Sequence, residues 1–307
     1  MARVFVTRRL PGTALERLEA EHEMEVWPGD MPPPREALLE GVAEAEGLLS
    51  LLVDQVDTEL LDAAPRLRAV ANYAIGFDNI DVEAATARDI QVGHTPDVLT
   101  DATADLAWAL MLAVARRIVE ARQDAVEGRW HTWEPQGWIG ADVHGATLAV
   151  IGAGRIGQAV AKRASGFEMD VVMVDLDDDL HAALERADFV SLHTPLTDET
   201  RHLIDAAALA RMKPTAILVN TARGPIVDQD ALADALRDGR LAGAGLDVTD
   251  PEPLPADHPL YDTPNLLVVP HIGSATTTAR AAMADRAVDN LLAALDGKPM
   301  PYHVPTA

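Results

Sequence analysis

The sequence predicts an α/β protein made of two parallel-sheet domains. Three observations predict it. Short apolar runs alternate with helical segments along almost the whole chain, the order of strands and the helices that cover them. Those runs are apolar on both parities, as strands buried on both faces must be. A glycine loop, Gly152-Ala153-Gly154-Arg155-Ile156-Gly157, stands between two such runs far inside the chain. Together they predict a flavodoxin-like domain over 1–96 plus 282–307, with a Rossmann-type dinucleotide-binding domain over 97–281 inserted into it.

In the first domain, strands are expected at Val4-Phe5-Val6, Met24-Glu25-Val26-Trp27, Gly47 to Leu52, Ala69 to Asn72 and Ile90-Gln91-Val92. Helical stretches at about 12–21, 34–43, 57–64 and 81–88 separate them. Pro28 and the triplet Pro32-Pro33-Pro34 punctuate the second connection. Thr95-Pro96 reads as a hinge.

A long helix is expected from about Val98 to Arg122. Leu99, Ala102, Leu106, Leu110, Ala113 and Val114 recur at helical spacing, and Asp97 or Thr100 can cap it. Three tryptophans then fall within Trp130-His131-Thr132-Trp133-Glu134-Pro135-Gln136-Gly137-Trp138. Such an arm packs either on a second subunit or back on its own domain. We read helix and arm, about 98–142, as a dimerisation element, so a homodimer is expected.

Around the glycine loop the order is strand (Leu148 to Ile151), loop, helix (Gln158 to Ser165), strand (Val171 to Val174) and then Asp175. This is the fingerprint of dinucleotide binding. The first glycine permits the tight turn, the second lets backbone approach a pyrophosphate, and the third lets helix pack on strand. The helix N-terminus supplies N–H groups and a positive dipole end. Asp175, 18 residues past Gly157, is placed to accept hydrogen bonds from the adenosine ribose. Without the flanking strands and the acid, the same glycines would describe only a tight turn. Further strands are expected at Asp188 to His193, Ala216 to Asn220, Ala244 to Val248 and Leu266 to Pro270. A last helix, about 275–295, returns to the first domain.

Composition excludes several classes. No apolar run approaches the roughly 20 residues that span a bilayer. The N-terminus enters a strand-like run at once, without a leader pattern, and a cytoplasmic location is expected. There is no Cys, hence no disulfide framework and no thiolate chemistry, and no metal-ligand cluster is expected. The net charge is −24, with three Lys against 49 acids. Such a surface repels nucleic acid and anionic membranes. Its origin is either adaptation to high salt or a GC-rich coding bias. An anionic substrate must find a local positive site in this negative molecule.

Three segments at or beyond strand ends carry ionisable groups: Asn220-Thr221-Ala222-Arg223-Gly224, Asp250-Pro251-Glu252-Pro253 and Pro270-His271-Ile272-Gly273-Ser274. Open α/β sheets bind ligands outside the carboxyl ends of their strands. A hydride delivered to a carbonyl carbon leaves an oxygen that needs a proton, and His is the usual donor near neutral pH. A carboxylate on the other ring nitrogen fixes its tautomer. Arg offers a planar fork for a substrate carboxylate. Arg223 is therefore read as substrate anchor, His271 as acid/base and Glu252 as its partner. Taken singly, such an Arg also fits a surface ion pair and such a His a structural role.

At this point a family resemblance is specific. Val4 to Arg9, Asn72 to Asp81, the glycine loop, Asn220 to Asp228, Leu246 to Pro255 and Pro270 to Ser274 resemble the D-2-hydroxyacid dehydrogenases, most of all the glyoxylate/hydroxypyruvate reductases. The Arg223–Glu252–His271 spacing of 29 and 19 residues is similar to that family's catalytic trio. The resemblance covers nearly the whole chain and implies reduction of small 2-oxo acids to 2-hydroxy acids. It implies that the Ala74-Ile75-Gly76 backbone holds the substrate carboxylate, that Leu51 and Leu52 wall the substrate, and that Trp138 reaches a neighbouring subunit's site. It further implies that Asp247 bonds the nicotinamide carboxamide, that Arg155 and Ile156 sit at the pyrophosphate and Thr103 near the phosphates, and that His193-Thr194-Pro195 runs along the adenosine. Thr221, Ala222, Gly273 and Ser274 complete the implied cofactor contacts.

Two features depart from that pattern. Only 12 residues separate Asp175 from Asp188, enough for one helix at about Leu180 to Arg186 and no further edge strand. His94 stands where relatives often carry Asn, and is read as structural. Asp175, with Asp177, Asp178 and Asp179 beside it, would repel the 2′-phosphate of NADP, so NAD(H) is expected over NADP(H). Arg8 and Arg9 keep a 3-phosphoglycerate dehydrogenase as an alternative, and a non-catalytic NAD-sensing protein is the alternative of another class.

Overall fold

The computed structural model describes residues 1–175 and 177–305. The chain divides into two compact units, Met1–Leu99 with Ala275–Ala307, and Thr100–Ser274. The division falls a few residues from the expected boundaries at 96 and 282. The whole returning helix, α11 (Thr277–Leu295), packs in the first unit, capped by the Thr276 hydroxyl on the Ala279 N–H.

In the first unit the elements are β1 (Arg3–Val6), α1 (Ala14–Glu21), β2 (Glu23–Val26), α2 (Arg35–Val42), β3 (Gly47–Ser50), α3 (Thr58–Ala63), β4 (Ala69–Asn72), α4 (Val82–Thr86) and β5 (Gln91–Gly93). All strand pairs are parallel, in the order β2-β1-β3-β4-β5. This is the doubly wound order in which the chain reverses direction between β1 and β3. Both β3 and β4 are fully buried, which explains their unbroken apolar character. Asp57 and Asp81 cap α3 and α4 by accepting from the Leu60 and Ala84 N–H groups.

The second unit opens with α5 (Thr100–Ala115) and α6 (Ile118–Val126). The single helix expected from Val98 to Arg122 is therefore two. Arg117 takes a left-handed φ of 52°, and the Ala115 carbonyl accepts the Ala141 N–H at 2.8 Å. An added Cβ at Gly140 would lie 2.1 Å from that same oxygen. The returning chain thus takes up the end of α5 and turns the chain into α6. Helix α5 is buried nearly all round, through Thr103, Ala104, Ala107, Trp108, Leu110, Met111 and Ala115, whereas α6 buries nothing.

After the arm come β6 (Thr147–Ile151), α7 (Arg155–Ala164), β7 (Asp170–Val174), α8 (Leu180–Arg186), β8 (Phe189–Leu192), α9 (Ala206–Leu209), β9 (Ile217–Asn220), α10 (Gln229–Arg237), β10 (Gly243–Leu246) and β11 (Leu266–Val268). The parallel sheet runs β7-β6-β8-β9-β10-β11. Among the described residues β7 is an edge strand, because the short segment before β8 holds α8 alone. Asp179, Asp205 and Asp228 cap α8, α9 and α10. The direction reverses between β6 and β8, and the glycine loop lies at the carboxyl end of that switch.

Candidate active site

The glycine loop shows a different constraint at each glycine. Gly152 has φ 101°, and a Cβ there would lie 2.7 Å from the His193 carbonyl. A Cβ at Gly157 would sit 2.0 Å from the Gly152 oxygen, so only glycine lets α7 close on β6. At Gly154 a Cβ would meet nothing within 4 Å. Gly154 caps α7 without a side chain, and Arg155 and Ile156 follow as the first helical residues. Asp175 stands directly after β7, its N–H donated to the Asp178 carboxylate at 2.8 Å.

Beyond β8, the His193 ring bonds through Nε2 to the buried Ser191 hydroxyl at 2.8 Å. Burial pushes the His193 pKa down to about 4, so the ring is neutral at physiological pH. The buried His193 Nδ1, Thr194 Oγ1 and Thr221 Oγ1 have no hydrogen-bond partner among the described residues.

After β9, the Asn220 side chain shapes the next turn: its amide donates to the Arg223 carbonyl at 2.8 Å and its oxygen accepts the Ala222 N–H at 3.0 Å. Arg223 is extended (φ −143°, ψ 142°), and its Nη1 donates to the Ala222 carbonyl at 2.9 Å. A Cβ at Gly224 would lie 2.0 Å from the Thr249 oxygen, so this turn and the loop after β10 are in backbone contact.

That second loop carries Glu252. Gln229, the first residue of α10, grips it: its amide donates to the Asp250 carbonyl, and its oxygen accepts the Asp250 N–H at 3.0 Å. The Thr249 hydroxyl donates to the Pro251 carbonyl at 2.9 Å. Glu252 Oε1 lies 2.5 Å from His271 Nδ1, both side chains about one-quarter exposed. His271 follows β11 with φ 50°, its N–H shared between the Asp247 and Val269 carbonyls at 2.9 and 3.0 Å. The His271 Nε2 makes no hydrogen bond among the described residues.

Asp247, 1% exposed, ties the same turn. Its two oxygens accept the Ile272 and Gly273 N–H groups at 2.6 and 2.8 Å. Burial pushes its carboxyl up, opposed mainly by the Ile272 N–H and by His271. Gly273 also backs onto Thr103 of α5, 3.4 Å from a hypothetical Cβ. The second unit thus brings Glu252, His271 and Asp247 into one hydrogen-bonded cluster. Ser274 is the last residue of that unit. Asn220 lay inside a marked segment without a role assigned to it, and Gln229 lay outside every motif; their amides hold the Arg223 turn and the Glu252 loop.

Trp138 stands apart. It is 38% exposed with φ 53°, and the Arg117 guanidinium lies 4.7 Å from its ring centre. In the first unit, Leu51 and Leu52 form the turn after β3, and Ala74, Ile75 and Gly76 the loop after β4. Leu51 donates its N–H to the Asp54 carboxylate at 2.7 Å, and the Thr7 hydroxyl donates to the same oxygen at 2.6 Å. Among the described residues no group of His, Asp or Glu could hold a metal ion, and no helix is long and apolar enough to cross a membrane.

Residues 108–273 match the family described as D-isomer specific 2-hydroxyacid dehydrogenase, NAD binding domain. The chain belongs to this dehydrogenase family. A glyoxylate reductase of Korarchaeum cryptofilum is 48% identical over 305 residues, covering 95% of this chain and 92% of its own. One from Thermococcus gammatolerans is 47% identical over 316 residues, with coverage of 97% and 94%. Among solved structures, a protein of Thermus thermophilus superposes with a TM-score of 0.94 at 52% identity, covering 99% of this chain and all of its own. An NADPH-dependent glyoxylate/hydroxypyruvate reductase of Sinorhizobium meliloti, solved with NADP and malonate, gives 0.86 at 31% identity, covering 99% and 96%.

A dinucleotide fits what this dehydrogenase offers. The bare Gly154 leaves room for a pyrophosphate against the α7 N-terminus. The unpartnered buried atoms of His193, Thr194 and Thr221 are acceptors and donors of the kind a ribose or amide satisfies.

Proposed function

We propose that this dehydrogenase reduces small 2-oxo acids, glyoxylate and hydroxypyruvate first, to 2-hydroxy acids. The observation that carries the reading is the Glu252–His271 contact of 2.5 Å, in the unit that carries the glycine loop. Gly152, Gly154, Arg155, Ile156, Gly157 and Asp175 would hold the nicotinamide cofactor, which when bound would supply the hydride for the carbonyl carbon. His271 gives a proton from Nε2 to the carbonyl oxygen. Its Nδ1–H is engaged by Glu252, which fixes the tautomer and balances the imidazolium. Arg223 binds the substrate carboxylate and polarises the carbonyl as negative charge develops on oxygen. The Ala74-Ile75-Gly76 backbone receives the same carboxylate, and Leu51 and Leu52 limit the side chain. Asp247 keeps the His271 turn in place.

We favour NAD(H) over NADP(H). Asp175, with Asp177, Asp178 and Asp179 beside it, would repel the 2′-phosphate of NADP. A homodimer is proposed through α6 and the arm. Helix α6 buries no residue, and Trp130, Trp133 and Ile139 are 74%, 81% and 68% exposed, large apolar side chains that a second subunit would cover.

The test follows NADH and NADPH absorbance separately with glyoxylate, hydroxypyruvate, pyruvate and 3-phosphohydroxypyruvate. Fast NADH loss with the first two is expected. Turnover only with 3-phosphohydroxypyruvate, or with none, overturns the substrate reading; turnover only with NADPH overturns the role of Asp175. Light scattering that finds only monomer overturns the dimer.

A further inference from the structure

The loop after β4 is held in an unusual way. Four consecutive carbonyls, Ala74 to Phe77, each accept a hydrogen bond from within the first unit. The Thr95 N–H reaches Ala74 at 2.8 Å, and the Ile80 N–H reaches Phe77 at 3.0 Å. The Asn72 amide reaches Gly76 at 2.9 Å, and the His94 Nδ1 reaches Ile75 at 2.8 Å. Among the described residues, no hydrogen bond is donated by the Ile75, Gly76 or Phe77 N–H groups.

A trans peptide is planar, with its C=O and N–H antiparallel. Each bonded carbonyl therefore aims the N–H of the following residue the other way. His94 sets the Ile75–Gly76 plane, and so aims the Gly76 N–H. The Ile75 carbonyl can only accept, so the His94 ring carries its proton on Nδ1.

His94 is itself held from three sides. Its ring meets Phe77 edge-on, with centroids 5.7 Å apart. Its N–H donates to the Tyr302 carbonyl at 2.9 Å. Its carbonyl accepts from the fully buried Asn290 amide at 3.0 Å. The Asn72 support is likewise fixed, bonded to Ser50 and Asn79 at 3.2 and 3.0 Å.

We propose that His94 is a positioning residue for substrate affinity: through the Ile75–Gly76 peptide it aims the Gly76 N–H at the substrate carboxylate. This rests on the reading of Ala74-Ile75-Gly76 as the carboxylate site. The affected contact is made equally to bound substrate and to the transition state, so its loss raises KM and spares kcat.

The test compares His94→Phe, which keeps a ring against Phe77 and loses the donor, with His94→Asn, whose amide restores a donor near Nδ1. Two quantities are read: glyoxylate kinetics with NADH, and calorimetric binding of oxalate to the NADH-loaded protein. His94→Phe is expected to raise both the KM and the oxalate Kd about tenfold, with kcat within about threefold and NADH affinity unchanged. His94→Asn is expected to lie within about twofold of wild type. Wild-type values in His94→Phe, or equal damage in both variants, overturn the proposal and leave the reductase reading intact. Weakened oxalate binding in His94→Phe alongside a wild type that reduces no 2-oxo acid supports the loop and overturns the reductase reading.

Discussion

His271 Nδ1 lies 2.5 Å from Glu252 Oε1, across 19 residues of chain. The bond occupies one ring nitrogen and leaves Nε2 as the only proton donor the imidazole can offer. A hydrogen bond to a charged partner contributes about 1.5–3 kcal/mol. Glu252→Gln keeps the acceptor oxygen and removes the charge, so kcat for glyoxylate reduction is expected to fall about tenfold to a hundredfold. His271→Gln removes the proton donor itself and is expected to cost about 10²- to 10⁴-fold. Steady-state kinetics at neutral pH decide both. A Glu252→Gln enzyme with wild-type kcat would show that the carboxylate does not assist His271.

The glycine loop separates stability from binding. Gly157→Ala puts a methyl 2.0 Å from a backbone oxygen, and overpacking of this kind costs about 1–3 kcal/mol. Gly154→Ala meets no protein atom, so its melting temperature should stay near wild type while NADH binding weakens about tenfold or more. Thermal melts and NADH fluorescence titrations read the two effects. Equal NADH affinity for Gly154→Ala and wild type would sink the assignment of that glycine to the pyrophosphate.

Strands and glycine loop were legible because their signals are local: apolar runs, and a turn that only glycine can make. The elements that were not legible depend on chain segments meeting in space. Arg117 is neither Gly nor Pro, and nothing near it marks the end of α5. The break arises where Ala141 takes the Ala115 carbonyl, 26 residues away in sequence. The Gln229 grip on Asp250 spans 21 residues, and the His94 contact with Ile75 spans 19. Each joins segments that follow different strands, so sheet order and register create it. Asn72 lay inside a recognisable motif, yet its role emerges only once β4 places it beneath Gly76.

Asp247 serves backbone with both of its oxygens, and the Ile272 and Gly273 N–H groups flank the turn that follows His271. In Asp247→Asn, one of those N–H groups would face an NH₂ and lose its acceptor. A buried donor left unmade costs about 1–3 kcal/mol. The His271 turn should loosen, lowering kcat about tenfold and the melting temperature by several degrees. Kinetics and melts on the same preparation check this. Wild-type values in both would mean that the turn is held by its other contacts.

His193 gives a pH signature. Its pKa is pushed down by burial to about 4, against about 6.5 in an unfolded chain. Above pH 6.5 both states are neutral, and the residue adds no pH dependence. As pH falls below 6.5, the unfolded state takes up a proton that the folded state refuses, so stability declines until folded His193 protonates near pH 4. The loss across that window is of the order of a few kcal/mol. Carboxylates also titrate near its lower end, so the informative quantity is the difference between wild type and His193→Asn. Asn cannot titrate, and its amide can still meet the Ser191 hydroxyl. Between pH 7 and pH 4.5 the variant should lose less stability than wild type in urea denaturation. Parallel losses would show that His193 protonates as readily in the folded chain as in the unfolded one.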